Sequence, residues 1–523
     1  MRKRIPPAAF PALFILSVVL ISAGSAGGAI NASDWLTANR DYDSTHYSPL
    51  KQITSANASA LRPVCTYKLG ERVQFQDAPI VVSGVMYVAT FENTYAINAS
   101  TCRPIWRTHH KIPSVPPFGS IRGLGYGGGH VYVATLDGHV LALDAATGKI
   151  DWDRQVLPKG GLQYFVAAPL AAGNAVYIGN AGSDVGAIGD MFALDQRTGR
   201  LLWKMSLVAS GNTPAARTWP QRPGIHIAGA GTWTSYTFDP ANDTLYVPAG
   251  NPGPDFNGDY RPGRNLYTNS IVALSGSTGA IRAYRQIVAH DVHDWDVSTA
   301  PALITTRAGT PVVAVVGKDG YLYELNSQMT RVLHRTATTT IDNADAPITA
   351  QGTHFCPGTQ GGTEFNPAAY SPQTNLLYTA SVDWCTTIKL ETNPKFVHGK
   401  PFVGSTNGFG TFDPQSRAKG WLTAVDADTG RVKWKWQSGM PLLAAVVPTA
   451  GDVVFTGGLN GDFMAFNAVT GKMLYRHETP APIPGGLAAY GVGGKEYVAV
   501  VSGYPGPIWK TPQTSDQIVV FGL

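Results

Sequence analysis

Apolar and polar residues alternate in short runs along most of the chain, the period of strands, and a turn rich in glycine closes each run. The segment Leu141-Ala142-Leu143-Asp144-Ala145-Ala146-Thr147-Gly148-Lys149-Ile150-Asp151-Trp152 sets a phrase that residues 192–203 repeat. Further copies occupy 272–284, 423–434 and 464–475, with worn copies at 95–106 and 322–334. A typical copy is an alternating apolar strand, an Asp/Asn/Ser-x-x-Thr-Gly turn and a second strand ending in an aromatic, which is a hairpin by its turn chemistry. A shorter strand pair usually precedes it, as in residues 78–88. Four strands per unit, repeated, predict an all-β fold, a β-propeller of four-stranded antiparallel blades. Seven copies are visible, and residues 517–521 predict an eighth blade closed by pairing with the N-terminal segment after Trp35. Closure explains strand-like leftovers at both termini better than an open solenoid does.

Composition agrees with this picture. The chain has 523 residues, too many for most single cores, yet no charged run or Pro/Ser-rich linker divides it. Its 58 Gly, 37 Pro, 22 Tyr and 12 Trp favour strands and turns over helices. Residues 1–29 read as an export signal: Met1-Arg2-Lys3-Arg4 is basic, Ala8 to Ser22 is apolar, and Ala23-Gly24-Ser25-Ala26 offers a cleavage site. Residues 30–523 are then expected to form one propeller domain, periplasmic or secreted. Pro11 interrupts the apolar run, which is shorter than the roughly 20 residues a membrane span needs, so no span is expected in the mature chain. Loss of Arg2, Lys3 and Arg4 lowers the formal charge from +5 to +2, which leaves no footprint for nucleic acid or a membrane surface. Four cysteines in an exported chain suggest two disulfides with three possible pairings; the local one, Cys65 with Cys102 and Cys356 with Cys385, is the economical choice. No Cys-x-x-Cys-His occurs, which excludes a covalently attached c-type haem on this chain.

The densest chemistry lies in His290-Asp291-Val292-His293-Asp294-Trp295-Asp296, three carboxylates within a heptad of a chain that is only 14% charged. A solvated turn is one reading. The other is a cation site: in an extended segment Asp294 and Asp296 face the same way and can hold a hard cation through oxygen, or one of them can act as a base beside it.

The repeat ending in Thr-Gly-x-x-x-Trp resembles that of pyrroloquinoline quinone (PQQ) enzymes. The order of motifs along nearly the whole mature chain is similar to the quinoprotein alcohol dehydrogenases, including methanol and ethanol dehydrogenases, as is Asp34-Trp35-Leu36-Thr37 leading to Tyr47-Ser48-Pro49-Leu50. The resemblance implies an eight-bladed propeller with PQQ in an axial funnel above Ca²⁺. The heptad aligns with the family's signature, His293 standing where Trp is usual, and places Asp294 as the catalytic base and a metal ligand. Asp184 in Gly182-Ser183-Asp184-Val185-Gly186 and Asn251 in Gly250-Asn251-Pro252 match the other metal ligands. Asp296 sits at the offset where lanthanide-using members carry an extra aspartate, so a lanthanide is the alternative to Ca²⁺. Lys318, in a hairpin turn that would ordinarily be solvated, matches the cation at the quinone oxygens. Arg122 matches a ligand of the PQQ carboxylates, for which a bidentate guanidinium is suited. Trp233 matches the indole floor under the planar cofactor. The resemblance also carries a disulfide placed like Cys356–Cys385, and Cys65 and Cys102 are expected to join neighbouring strands of the first complete blade.

The departures are equally specific. Pro116-Pro117 occupies the place of adjacent disulfide-linked cysteines that roof the cofactor, implying a different lid or a looser grip. Gln76 and Glu364 hold cofactor-binding positions where the family has Glu and Asn, Leu443 replaces a Trp, Val166 a Thr, and Asp184 is shorter than the usual Glu. The expected function is oxidation of an alcohol by hydride transfer to metal-bound PQQ, with electrons passed to a separate periplasmic cytochrome c. The alternative is a non-catalytic propeller scaffold, the role that the same fold takes in outer-membrane assembly machinery. The matched site residues favour the enzyme, and the missing cysteine pair favours the scaffold.

Overall fold

In the computed structural model, which describes residues 31–523, every copy of the repeated phrase becomes the outer hairpin of a four-stranded antiparallel sheet. The export-signal assignment at 1–29 lies outside the described residues. In one hairpin, Asp144 accepts at one carboxylate oxygen from the amide (2.8 Å) and hydroxyl (2.6 Å) of Thr147, and Gly148 follows at φ +73°, where a side chain would be strained. A bulge after Ala142 lets Leu143 pair with Ile150, and the other six copies carry it at the same place. The aromatic ending the phrase staples one blade to the next. Trp152 donates from its indole to the carbonyl of Gln196 (3.0 Å), and its ring lies so close to Gly199 that a Cβ there would stand 2.6 Å from it. Trp106 on Gly148, Trp203 on Gly279 and Trp434 on Gly471 repeat the contact.

Eight four-stranded sheets are present among the described residues. The eighth closes the ring: Arg62–Lys68 pairs antiparallel with Gln517–Gly522, which continues into Lys495–Ser502 and Leu487–Val492. Both disulfides form in the expected pairs, with Cα separations of 5.8 Å for Cys65–Cys102 and 4.6 Å for Cys356–Cys385. The first departs from expectation in its place. Cys65 lies on the closing blade and Cys102 in the turn before Pro104–His109 of the first blade, so the bond staples two blades, because the N-terminal strand is lent to the last blade. The second ties down a small sheet of Thr353–Phe355, Thr386–Ile388 and Thr411–Phe412.

Residues 35–48 run across the innermost strands of six blades. Trp35 bridges Val81, and the Tyr42 hydroxyl donates to the carbonyl of Ala171 (3.0 Å). Amides of Phe238, Leu303 and Tyr370 donate to carbonyls of Tyr42, Asp43 and Thr45 at 2.9 Å each, and the amide of Ser48 to that of Pro448 (3.0 Å). The candidate residues sit at the other end of the sheets. Gln76, Trp233, Asp294, Asp296 and Glu364 precede first strands, whereas Asp184, Asn251 and Lys318 follow second strands. Since those two strands are antiparallel, both sets meet at one end of the ring. Among the described residues no helix is long and apolar enough to cross a membrane.

Candidate active site

The heptad is an irregular loop bent at His293 rather than an extended segment, and buried Asp291 organises it. Its carboxylate accepts from the amides of His293 (3.0 Å) and Trp295 (2.9 Å) and from the Asn269 side chain (3.3 Å), which satisfies backbone donors that the irregular loop would otherwise bury unpaired. Asp294 then takes φ +64°, a left-handed conformation that aspartate tolerates better than most residues. His293 fills the usual Trp position as an aromatic: it stacks on Trp295 at 4.2 Å and meets Phe355 edge-on at 4.7 Å.

Asp294 and Asp296 nevertheless converge, because Lys318 lies between them. Its ammonium donates to Asp294 Oδ2 at 2.9 Å and Asp296 Oδ2 at 3.3 Å, and its amide to the carbonyl of Asp296 at 3.1 Å. Lys318 is only 4% exposed, so the solvated turn lysine expected from sequence is a buried cation. Burial pushes its pKa down, but Asp294 and Asp296 more than reverse this and hold the ammonium above its ordinary range. Burial raises Asp294 well above the usual carboxylate range, against the pull of Lys318, and raises Asp184 to about 6 with Asp296 adding to it. The other oxygen of Asp296 accepts from the amide of Asn251 (2.9 Å) and the indole of Trp233 (3.4 Å), so both its oxygens are engaged.

A cavity of about 190 Å³ joins these groups to the walls. Asp184, Asn251, Asp294, Asp296 and Lys318 line it, with Gln76, Arg122, Trp233 and Glu364, so the fold brings together every sequence-predicted site residue. The Arg122 guanidinium lies 4.8 Å from the ring centroids of both Trp233 and Phe365 and donates to the Trp233 carbonyl at 2.9 Å. Burial lowers its pKa to about 10, with Glu364 opposing, and raises Glu364 to about 7 against Lys318 and Arg122. Gln76 is less free: its amide donates to the carbonyl of Pro505 (2.8 Å) and accepts from Ser120 (3.0 Å). Where the roof cysteines were missing, Pro117 and Phe118 line the cavity, and Phe118 meets Phe409 edge-on at 5.4 Å. Trp509, from the last loop of the closing blade, completes the wall. Nothing in its sequence context marked it.

One acid escaped the sequence reading. Asp255 is fully buried, and oxygens of Asp184, Asp255 and Asp294 lie within 4.8 Å of one another. The readable signal was an acid four residues beyond Asn251 in a chain sparing with charge. The donor set suits a hard cation, since it is all oxygen. It also suits a flat, anionic, polar cofactor: Lys318 and Arg122 supply positive charge, Trp233 supplies an aromatic face, and Arg122 Nε, Asn251 Nδ2 and Glu364 Oε1 are buried without partners. Leaving each such atom unpaired costs about 1–3 kcal/mol, which a polar ligand would recover.

The eight sheets thus enclose a pocket lined by carboxylates, lysine, arginine and indole. The profile of the glucose/ethanol/alcohol dehydrogenase β-propeller domain of PQQ enzymes matches residues 35–330, and that of outer membrane protein assembly factor BamB matches 418–502. The dehydrogenase subunit of the quinone alcohol dehydrogenase of Acetobacter aceti is 31% identical over 92% of this chain and 74% of its own length. The crystal structure of quinohemoprotein alcohol dehydrogenase from Comamonas testosteroni superposes with a TM-score of 0.85 at 28% identity, covering 94% of this chain and 80% of that one. A europium-containing methanol dehydrogenase gives 0.83 at 25% identity, covering 94% and 99%. The chain belongs to the PQQ-dependent quinoprotein alcohol dehydrogenase family. It is an alcohol dehydrogenase-like oxidoreductase, and the scaffold alternative gives way.

Proposed function

We propose that residues 30–523 form a periplasmic or secreted quinoprotein that oxidises an alcohol and passes the electrons to a separate cytochrome c, residues 1–29 being its export signal. The observation that carries the reading is the buried Lys318 held between Asp294 and Asp296 at the cavity wall. Asp184, Asn251 and Asp294 hold a hard cation, Ca²⁺ or a lanthanide, and Asp296 orients Lys318, Asn251 and Trp233 through its two engaged oxygens. Trp233 floors the cofactor, Arg122 binds its carboxylates and Glu364 donates a hydrogen bond while it keeps its proton. Gln76 serves as wall, its amide being committed to Pro505 and Ser120.

When bound, PQQ supplies an electron-accepting carbonyl that a neighbouring cation polarises. Asp294 takes the hydroxyl proton of the alcohol at its carboxylate. Lys318, 2.9 Å away, favours the ionised form that a base needs and stands ready to meet negative charge at the quinone oxygens. Phe118, Phe409 and Trp509 exclude water and favour an alcohol with an apolar body. The test is reconstitution of the mature chain with PQQ and either Ca²⁺ or La³⁺, followed by dye-linked oxidation of a panel of alcohols. Asp294→Asn should take up quinone yet lose turnover by about 100- to 10,000-fold. No quinone uptake by the wild type with either ion would end this reading.

A further inference from the structure

Asp255 is a buried acid for which the fold provides no internal use. Its side chain is fully inaccessible, and neither carboxylate oxygen has a hydrogen-bond partner. Buried carboxylates are normally paired or bound to a metal, because desolvating one without compensation is costly. The obvious counter-charge, buried Arg261, is spent elsewhere. Its guanidinium donates to the carbonyls of Pro254 (3.0 Å), Asp255 (2.8 Å) and Asp291 and to the side chain of Asn265 (3.1 Å), but not to the Asp255 carboxylate. Arg261 therefore fixes the backbone of the loop and leaves the acid itself unpaired. That acid has an oxygen within 4.8 Å of oxygens of Asp184 and Asp294, and Asn251 Nδ2, on the same loop, is also without a partner. Asp184, Asn251 and Asp294 line the cavity, and Asp255 shares the carboxylate cluster of Asp184 and Asp294.

We propose that Asp255 is a direct ligand of the active-site cation, completing a cage of three aspartates with Asn251, and that this cage selects a trivalent ion over Ca²⁺. The inference rests on the metal-dependent reading above. The ion would be held by Asp184, Asp294 and Asp255, which each offer an oxygen within 4.8 Å of the others. The charge count sets the preference. Lys318, shared between Asp294 at 2.9 Å and Asp296 at 3.3 Å, balances one of the four carboxylates Asp184, Asp255, Asp294 and Asp296, which leaves three negative charges for the ion to balance, and Asp296 has both oxygens engaged by Lys318, Asn251 and Trp233. A carboxylate added to an oxygen cage raises affinity for any hard cation and raises it more for a higher charge. The extra acid suited to a trivalent ion is thus Asp255, and Asp296 acts as a positioning residue.

The experiment compares the full mature chain, loaded with PQQ, as wild type, Asp255→Asn and Asp296→Asn. Tb³⁺ binding is read by indole-sensitised luminescence and Ca²⁺ binding by displacement of Tb³⁺. Wild type should bind Tb³⁺ more tightly than Ca²⁺. Asp255→Asn should lose roughly 100-fold in Tb³⁺ affinity but only about tenfold in Ca²⁺ affinity, with Asp296→Asn losing less Tb³⁺ affinity than Asp255→Asn. Eu³⁺ bound to the wild type gives a check that needs no variant, because the position of its excitation line follows the summed charge of its ligands; it should correspond to three carboxylates. Unchanged Tb³⁺ affinity in Asp255→Asn, a larger loss in Asp296→Asn, or a Eu³⁺ line indicating two carboxylates overturns the assignment of Asp255 and leaves the catalytic reading standing. Failure of the wild type to bind any of these ions overturns both.

Discussion

Lys318 shows how much of this site depends on one side chain. It is buried with Asp294 and Asp296, all three about 5% exposed, so its charge cannot be replaced by water. Breaking a buried ion pair by removing one partner typically costs about 3–5 kcal/mol, because the other charge remains uncompensated. Lys318→Met is expected to lose about that much stability without added ions and to regain part of it when Ca²⁺ or La³⁺ is supplied. Denaturant unfolding with and without the ion measures both. A variant as stable as wild type and indifferent to ions would mean that the two aspartates do not need this cation. The acid-rich heptad was legible as a cation site, but Lys318 read as a solvated turn residue. Its burial follows from the packing of the heptad, which leads into the strand Ala302–Thr305, against the turn after Pro311–Val316 of the same blade, and local sequence carries no record of that. The partnership of His293, Trp295 and Phe355 was hidden for the same reason, since Phe355 arrives from the small disulfide-tied sheet.

Between single residues and the ring stands the hairpin, whose repeated parts have separate duties. Thr caps the turn on Asp, Gly takes the left-handed turn, and the final Trp docks on the next blade's Gly. The spacing was legible because each duty demands one residue type. What the spacing did not say is that the Trp-to-Gly contact crosses between blades. Trp152 is 7% exposed and bonded to Gln196, so truncation opens a large cavity at a blade interface. Trp152→Ala should cost about 3–5 kcal/mol. Gly199→Ala should also destabilise, because it meets that indole at 2.6 Å from a residue at φ +68°. Unfolding midpoints of the two variants test the staple, and a neutral Gly199→Ala would refute it.

Across the whole molecule, residues 35–48 act as a strap over the inner strands. Asp41 organises the strap, accepting from the Thr45 amide (3.0 Å) and hydroxyl (2.6 Å). Amides of Leu303 and Tyr370, which donate into the strap, should therefore exchange as slowly as those inside blade strands. Asp41→Ala should accelerate both while leaving the amides of outer hairpins unchanged, which hydrogen exchange read by mass spectrometry can resolve. Equal protection in variant and wild type would show that the strap does not hold the ring.

The sequence by itself determined the all-β repeat and seven of its copies, because these rest on local periodicity and turn chemistry. The eighth blade rested on strand-like leftovers at the termini and on the family resemblance, most of the pocket was legible only through that resemblance, and the cysteine pairing was one of three possibilities, favoured for its economy. Tertiary structure alone decided that Cys65 staples two blades, that the heptad bends instead of extending, that Phe118 and Phe409 meet where a cysteine pair was absent, and that Asp296 spends both oxygens on neighbours. It alone revealed Asp255. An acid becomes a ligand through what it faces and what it fails to pair with, and those relations span Asp184, Asp255 and Asp294, which only closure of the ring brings within a few ångströms.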